Sequence, residues 1–81
     1  MQIVYIVSSG SFYRPVDTPA GKAGWTGEIT LWYPPNFSGK KIPNISKTFN
    51  TQKEADEFVN KTLFSLYDNP DYRFRDYGNK H

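Results

Sequence analysis

The chain contains no cysteine and a single histidine, His81. The first absence excludes a disulfide frame, a thiol nucleophile and any zinc site built on thiolates. The second leaves no imidazole for a histidine metal centre, and none for a serine triad away from the last residue. Long apolar runs are also missing, and nothing approaches the roughly 18 residues of a membrane span. Aliphatic side chains are scarce: three Leu, five Ile and four Val among 81 residues. Charge of either sign is modest, with ten Lys and Arg against eight Asp and Glu, a net of +2. What the chain has instead is aromatic rings, six Phe, six Tyr and two Trp. Each buries about 150–250 Å² when packed, so rings can build the core that the aliphatic residues cannot.

At this length one domain over residues 1–81 is expected. Core stability in so small a domain is thin, about 3–5 kcal/mol. A partner, including a second copy in a homodimer, is therefore a reasonable source of added burial. The opening segment Met1–Val7 has neither the basic start nor the apolar stretch of about 7–15 residues of a signal peptide. A cytoplasmic, non-secreted protein is expected, and the sequons at Asn36, Asn44 and Asn60 then carry no meaning.

Residues 2–8 read as a strand with β-branched side chains on both faces, best placed centrally in a sheet. Residues 9–24 read as a loop because Gly10, Pro15, Pro19, Gly21 and Gly24 punctuate them. Phe12, Tyr13 and Arg14 would then ride on that loop. Residues 25–33 alternate with period two. Trp25, Ile29, Leu31 and Tyr33 share one face, and Thr26, Glu28, Thr30 and Trp32 the other. Pro34-Pro35 ends that strand, a turn region carries Lys40 and Lys41, and a short strand follows at 45–49. Thr51 and Glu54 form a capping box, with the Glu54 side chain expected to reach back to the Thr51 amide. Ala55, Phe58, Val59, Thr62, Leu63 and Leu66 then recur at helical spacing. Asp68-Asn69-Pro70 stops the helix, and 71–77 reads as a final strand with Tyr72 and Phe74 inward. Gly78 to His81 are expected to fray. The order is β-β-β-α-β, an α+β two-layer sandwich with one helix on one face of a mainly antiparallel sheet. Tyr5 or its neighbours, with Trp25, Tyr33, Phe49 and Phe58, are expected to join the core.

Catalytic groups do not converge. Gly21-Lys22-Ala23-Gly24 lacks phosphate-loop spacing. Glu54, Asp56 and Glu57 sit where a helix dipole favours negative charge. Asp68, Asp71 and Asp76 are flanked by Arg73 and Arg75, a poor setting for a metal. A non-enzyme without cofactor or metal is expected.

The surface is more informative. Arg73 and Arg75, two apart on a strand, point the same way as Tyr77 and share the outer face with Trp32. Trp, Tyr and Arg dominate protein-interface hot spots. The expectation is a small binding protein that docks this aromatic/Arg face, or the 9–24 loop with Phe12, Tyr13 and Arg14, on a macromolecular partner. A protein partner is favoured, because a duplex-binding domain carries a denser basic stripe than a net +2 supplies. Small self-contained proteins of this make-up resemble phage or mobile-element inhibitors of host machinery, of the anti-restriction or anti-CRISPR type.

A second resemblance lies in Trp25…Glu28-Ile29-Thr30-Leu31-Trp32-Tyr33, Gly39-Lys40-Lys41 and Lys47-Thr48-Phe49-Asn50-Thr51…Glu54-Ala55…Phe58. These residues resemble the arm-type DNA-binding domain of phage and transposon integrases over about 25–60. The resemblance implies a three-stranded sheet followed by a helix, with the sheet face in the DNA major groove. It would put Thr30, Trp32, Lys40, Lys41 and Lys47 at the nucleic acid, a binding module of the integrase arm type.

Overall fold

The computed structural model describes residues 2–77. Its elements run β1 (Gln2–Arg14), β2 (Gly24–Trp32), β3 (Ile45–Phe49), α1 (Gln52–Tyr67) and β4 (Tyr72–Asp76). The four strands form one sheet in the order β3-β2-β1-β4. Two pairings are antiparallel, and β4 lies parallel to β1. The helix crosses one face, mainly over β1 and β2, giving the expected two-layer α+β sandwich. A parallel neighbour needs a crossover, and α1 supplies it. The expected fraying of 78–81, with His81, falls outside the described residues.

The helix starts where its cap dictates. The Thr51 hydroxyl accepts from the Glu54 amide at 3.2 Å and donates to Glu54 Oε1 at 3.1 Å. The Glu54 side chain thus meets the Thr51 hydroxyl instead of the expected Thr51 amide. At the far end Asn69 Oδ1 accepts from the amides of Asp71 and Tyr72, turning the chain into β4. Val59 and Leu66 are buried against Val4, Ile6, Ile29, Leu31 and Phe74, and Ala55 is buried on the same helix. Gly27 lets the helix come close: a Cβ there would stand 2.9 Å from the Ala55 carbonyl oxygen and from Phe58 and Val59.

Three expectations need correction. Residues 9–14 are strand, the second half of a 13-residue β1, paired from Ser9↔Ile29 to Arg14↔Gly24. Pairing with β2 satisfies their backbone groups and overrides the local turn propensity of the Ser/Gly run. The loop contracts to 15–23, folded on itself by paired Thr18 and Gly21 and by the Asp17 carboxylate accepting from the Ala23 amide at 2.7 Å. Gly24, at φ +128, closes this hairpin in a backbone region open to glycine. Second, of Tyr5 and its neighbours it is Val4 and Ile6 that enter the core, while Tyr5 lies on the sheet face opposite the helix, across from Trp32. Third, the connection after β2 is not merely a turn. Its Phe37 is buried between Tyr33 and Tyr72, with ring centroids 4.8 and 5.2 Å away, and closes the base of the core.

The register of β1 changes between Ile6 and Ser8. Val7 is the extra residue of this β-bulge. Before it, Val4 and Ile6 face the helix; after it, Ser9, Ser11 and Tyr13 do, opposite Ile29, Gly27 and Trp25. The Ser11 hydroxyl donates to the Asp56 carboxylate of α1.

Candidate functional site

The face away from α1 has no second layer among the described residues. Cross-strand register fixes what stands on it. Arg75 pairs with Tyr5, and Tyr5 pairs with Trp32, so the three form one row across β4, β1 and β2. The neighbouring row begins with Arg73 beside Ile3. Tyr77 follows β4 and is tied to β1 by its amide donating to the Ile6 carbonyl at 2.9 Å. Its ring closes a triangle with the other two: centroids lie 5.7 Å apart for Tyr5–Trp32, 5.6 Å for Tyr5–Tyr77 and 5.8 Å for Trp32–Tyr77. Tyr5 and Tyr77 meet edge to face at 82°, an arrangement aromatic quadrupoles prefer, while Trp32 is tilted at 44° and 49° to the two tyrosines. Trp32 stays 43% exposed and Tyr77 55%. Arg73 and Arg75 are exposed beside them.

Beside this cluster runs a groove of about 500 Å³ lined by Gln2, Ile3, Tyr5, Pro34, Asn36 and Ser38. The Gln2 side-chain oxygen accepts from the Ser38 amide at 2.7 Å. That bond anchors the connection that forms one wall. Its floor, Ile3 and Tyr5, is the strip next to the two arginines.

The other sequence-derived candidates are dispersed. Phe12 and Arg14 reach the open face farther along β1. Arg14 stacks on Phe12, 5.0 Å from the ring centroid, and donates to the Lys22 carbonyl and the Thr26 hydroxyl. Its guanidinium covers Thr26, which is fully buried, so it holds the hairpin together. Tyr13 is on the helix side against Trp25, with centroids 5.3 Å apart. Of the residues implied by the integrase-arm resemblance, Thr30 and Trp32 share the open face. Lys47 pairs with Gly27 on the helix side and lies over Phe49. Lys40 and Lys41 sit on the 33–44 connection, against Tyr72 and Tyr33 respectively. Lys47 is therefore on the opposite side of the sheet from the arginine pair, and Lys40 and Lys41 belong to the connection and not to the strands.

Sequence reasoning missed Tyr5, the centre of the cluster, and the Ile3–Pro34 groove. Alternation along 2–8 could have placed Ile3 and Tyr5 opposite Val4 and Ile6, but β-branched residues on both faces hid which side was covered. The carboxylates Asp56 and Asp76 are engaged by Ser11 and Tyr67 as packing contacts. Among the described residues no three His, Cys, Asp or Glu side chains gather to hold a metal ion, and no helix is long and apolar enough to cross a membrane.

No family model matches the chain, and no curated protein or solved structure matches it significantly.

Proposed function

We propose that this chain is a non-catalytic binding protein that docks the open face of its sheet on a protein partner inside the cell. The observation that carries the reading is the Arg75–Tyr5–Trp32 row capped by Tyr77. It gathers large, amphipathic rings and two exposed guanidinium groups on a face that a two-layer fold leaves uncovered among the described residues. Rings held by neighbouring rings lose little freedom on binding, so their burial is converted efficiently into affinity. A small domain presenting such a face suits an inhibitor that occludes a surface of host machinery, of the anti-restriction or anti-CRISPR type. A nucleic-acid module of the integrase arm type is the competing reading. Lys47 lies on the helix side and Lys40 and Lys41 on the connection, none of them on a strand of the aromatic face, which weighs against it, while the Arg and Trp chemistry is common to both.

The test is affinity capture from cells expressing the tagged chain, with and without nuclease, beside a Trp32→Ala/Arg73→Ala variant. One protein should be recovered near stoichiometry by the wild type, survive nuclease, and be lost with the variant. Equal recovery by the variant would show that another surface binds. Recovery of nucleic acid alone would favour the competing reading.

A further inference from the structure

We infer that the docked element is a protein segment carrying a carboxylate one or two residues from an apolar side chain. This rests on the reading that the open sheet face is the docking surface, and adds the chemistry of what it receives. The two rows of the site are spatially matched. Arg73 and Arg75 stand one strand spacing, about 4.8 Å, from Ile3 and Tyr5. The groove has an apolar floor in Ile3 and Tyr5 and an apolar wall in Pro34, rimmed by the polar Gln2, Asn36 and Ser38, a fit for an apolar side chain with polar backbone at its edge. A carboxylate on a neighbouring residue then falls within reach of the arginine pair, where planar guanidinium groups bind it through paired, charge-assisted hydrogen bonds.

Charge argues against a second copy as occupant. An isologous contact repeats the same patch on both sides, which would oppose four guanidinium groups. The acid that the strand alternation places on this face is Glu28, half-buried opposite Gly10, past the bulge from the aromatic cluster. A polyanionic strand is also a poor fit. It requires a basic track and ring faces open for stacking. Here no lysine of the strands falls on the open face, Arg14 is committed to the Lys22 carbonyl and the Thr26 hydroxyl, and the three rings pack against one another, Tyr5 and Tyr77 edge to face.

The probes are a capped hexapeptide alternating glutamate and leucine, the same peptide with lysine for glutamate, and an eight-nucleotide oligothymidylate. Each is titrated into isotope-labelled protein and followed by NMR. The glutamate peptide should shift the Trp32 indole signal and those of Tyr5, Arg73 and Arg75. Arg73→Gln/Arg75→Gln should weaken it about tenfold or more, and the lysine peptide should bind at least that much more weakly. Equal binding of both peptides, or none by the glutamate peptide at millimolar concentration, overturns the inference. Tighter binding of the oligothymidylate at the same signals overturns it in favour of nucleic acid. Should Trp32→Ala abolish binding while the glutamine variant retains it, the docking face stands and the acidic chemistry falls. Shifts confined to α1 overturn both.

Discussion

Tyr5 stands directly opposite Trp32 on the β1–β2 ladder, with ring centroids 5.7 Å apart. The pair sits on the face without a helix, so its packing energy is small and its rings are available to a partner. Trp32→Ala removes two ring contacts at about 0.5–1.5 kcal/mol each, partly offset because the indole is already 43% exposed. The expected cost in urea unfolding is about 1–2 kcal/mol, with the circular dichroism spectrum retained. Partner affinity should fall about 30-fold or more, as for an interface hot spot. A stability loss above about 4 kcal/mol would instead make Trp32 a core residue.

Gly27 carries the opposite kind of weight, because the helix rests on it. A methyl group there would meet the Ala55 carbonyl oxygen at 2.9 Å, and a backbone atom inside α1 cannot rotate aside. Gly27→Ala should cost about 1–3 kcal/mol through overpacking. Lys47→Ala, directly across the ladder but exposed, should change stability by about 0.5 kcal/mol or less. Paired urea titrations decide it. Equal costs would mean that the helix does not seat on Gly27.

Much of this fold is legible where a short stretch decides its own structure. Thr51 and Glu54 set the helix start, and the Ala55–Leu66 spacing sets its buried stripe. Alternation along β4 puts Arg73 and Arg75 on one side and Phe74 on the other. The illegible parts depend on distant partners. Nothing local marks Phe37 as core; it is buried because Tyr33 and Tyr72 meet around it. Residues 9–14 have the composition of a loop and become strand because β2 lies alongside. Tyr5 looks like core until the single helix is assigned to the Val4 and Ile6 side.

Val7 shows most sharply why the face of 9–14 cannot be read by counting. Strict alternation from Val4 and Ile6 would send Phe12 and Arg14 to the helix side. The bulge at Val7 shifts the parity and sends Ser9, Ser11 and Tyr13 there instead. Deleting Val7 would leave Ile6↔Leu31 and Ser8↔Thr30 as consecutive pairs, with every other side chain keeping its face. That deletion should therefore be tolerated at about 1 kcal/mol or less. Deleting Thr30 from β2 increases the mismatch and forces Ile29 or Leu31 out of the core, which should abolish cooperative unfolding. Thermal melts of the two deletions give the comparison, and unfolding of the Val7 deletion would refute the bulge account.

Tyr67, at the end of α1, donates its hydroxyl to the Asp76 carboxylate at the end of β4, fastening the last helical turn to the edge strand. Partial burial first, then this hydrogen bond and the charge of Asp76, push the phenol up to about 12 from its ordinary 10.0. The folded protein thus keeps a proton that the unfolded chain releases near pH 10. Linkage then makes the contribution of Tyr67 complete below pH 10 and progressively lost as the pH rises through 12. The stability difference between wild type and Tyr67→Phe should be flat below pH 10 and shift against the wild type from there to pH 12. The amplitude is modest because the side chain is half-exposed and solvent screens it. Ultraviolet titration provides the companion reading: one tyrosine should ionise late in the wild type, and Asp76→Asn should bring it back toward the others. A late tyrosine that persists in Asp76→Asn would leave burial as the sole cause and remove the helix-to-strand fastening from the account.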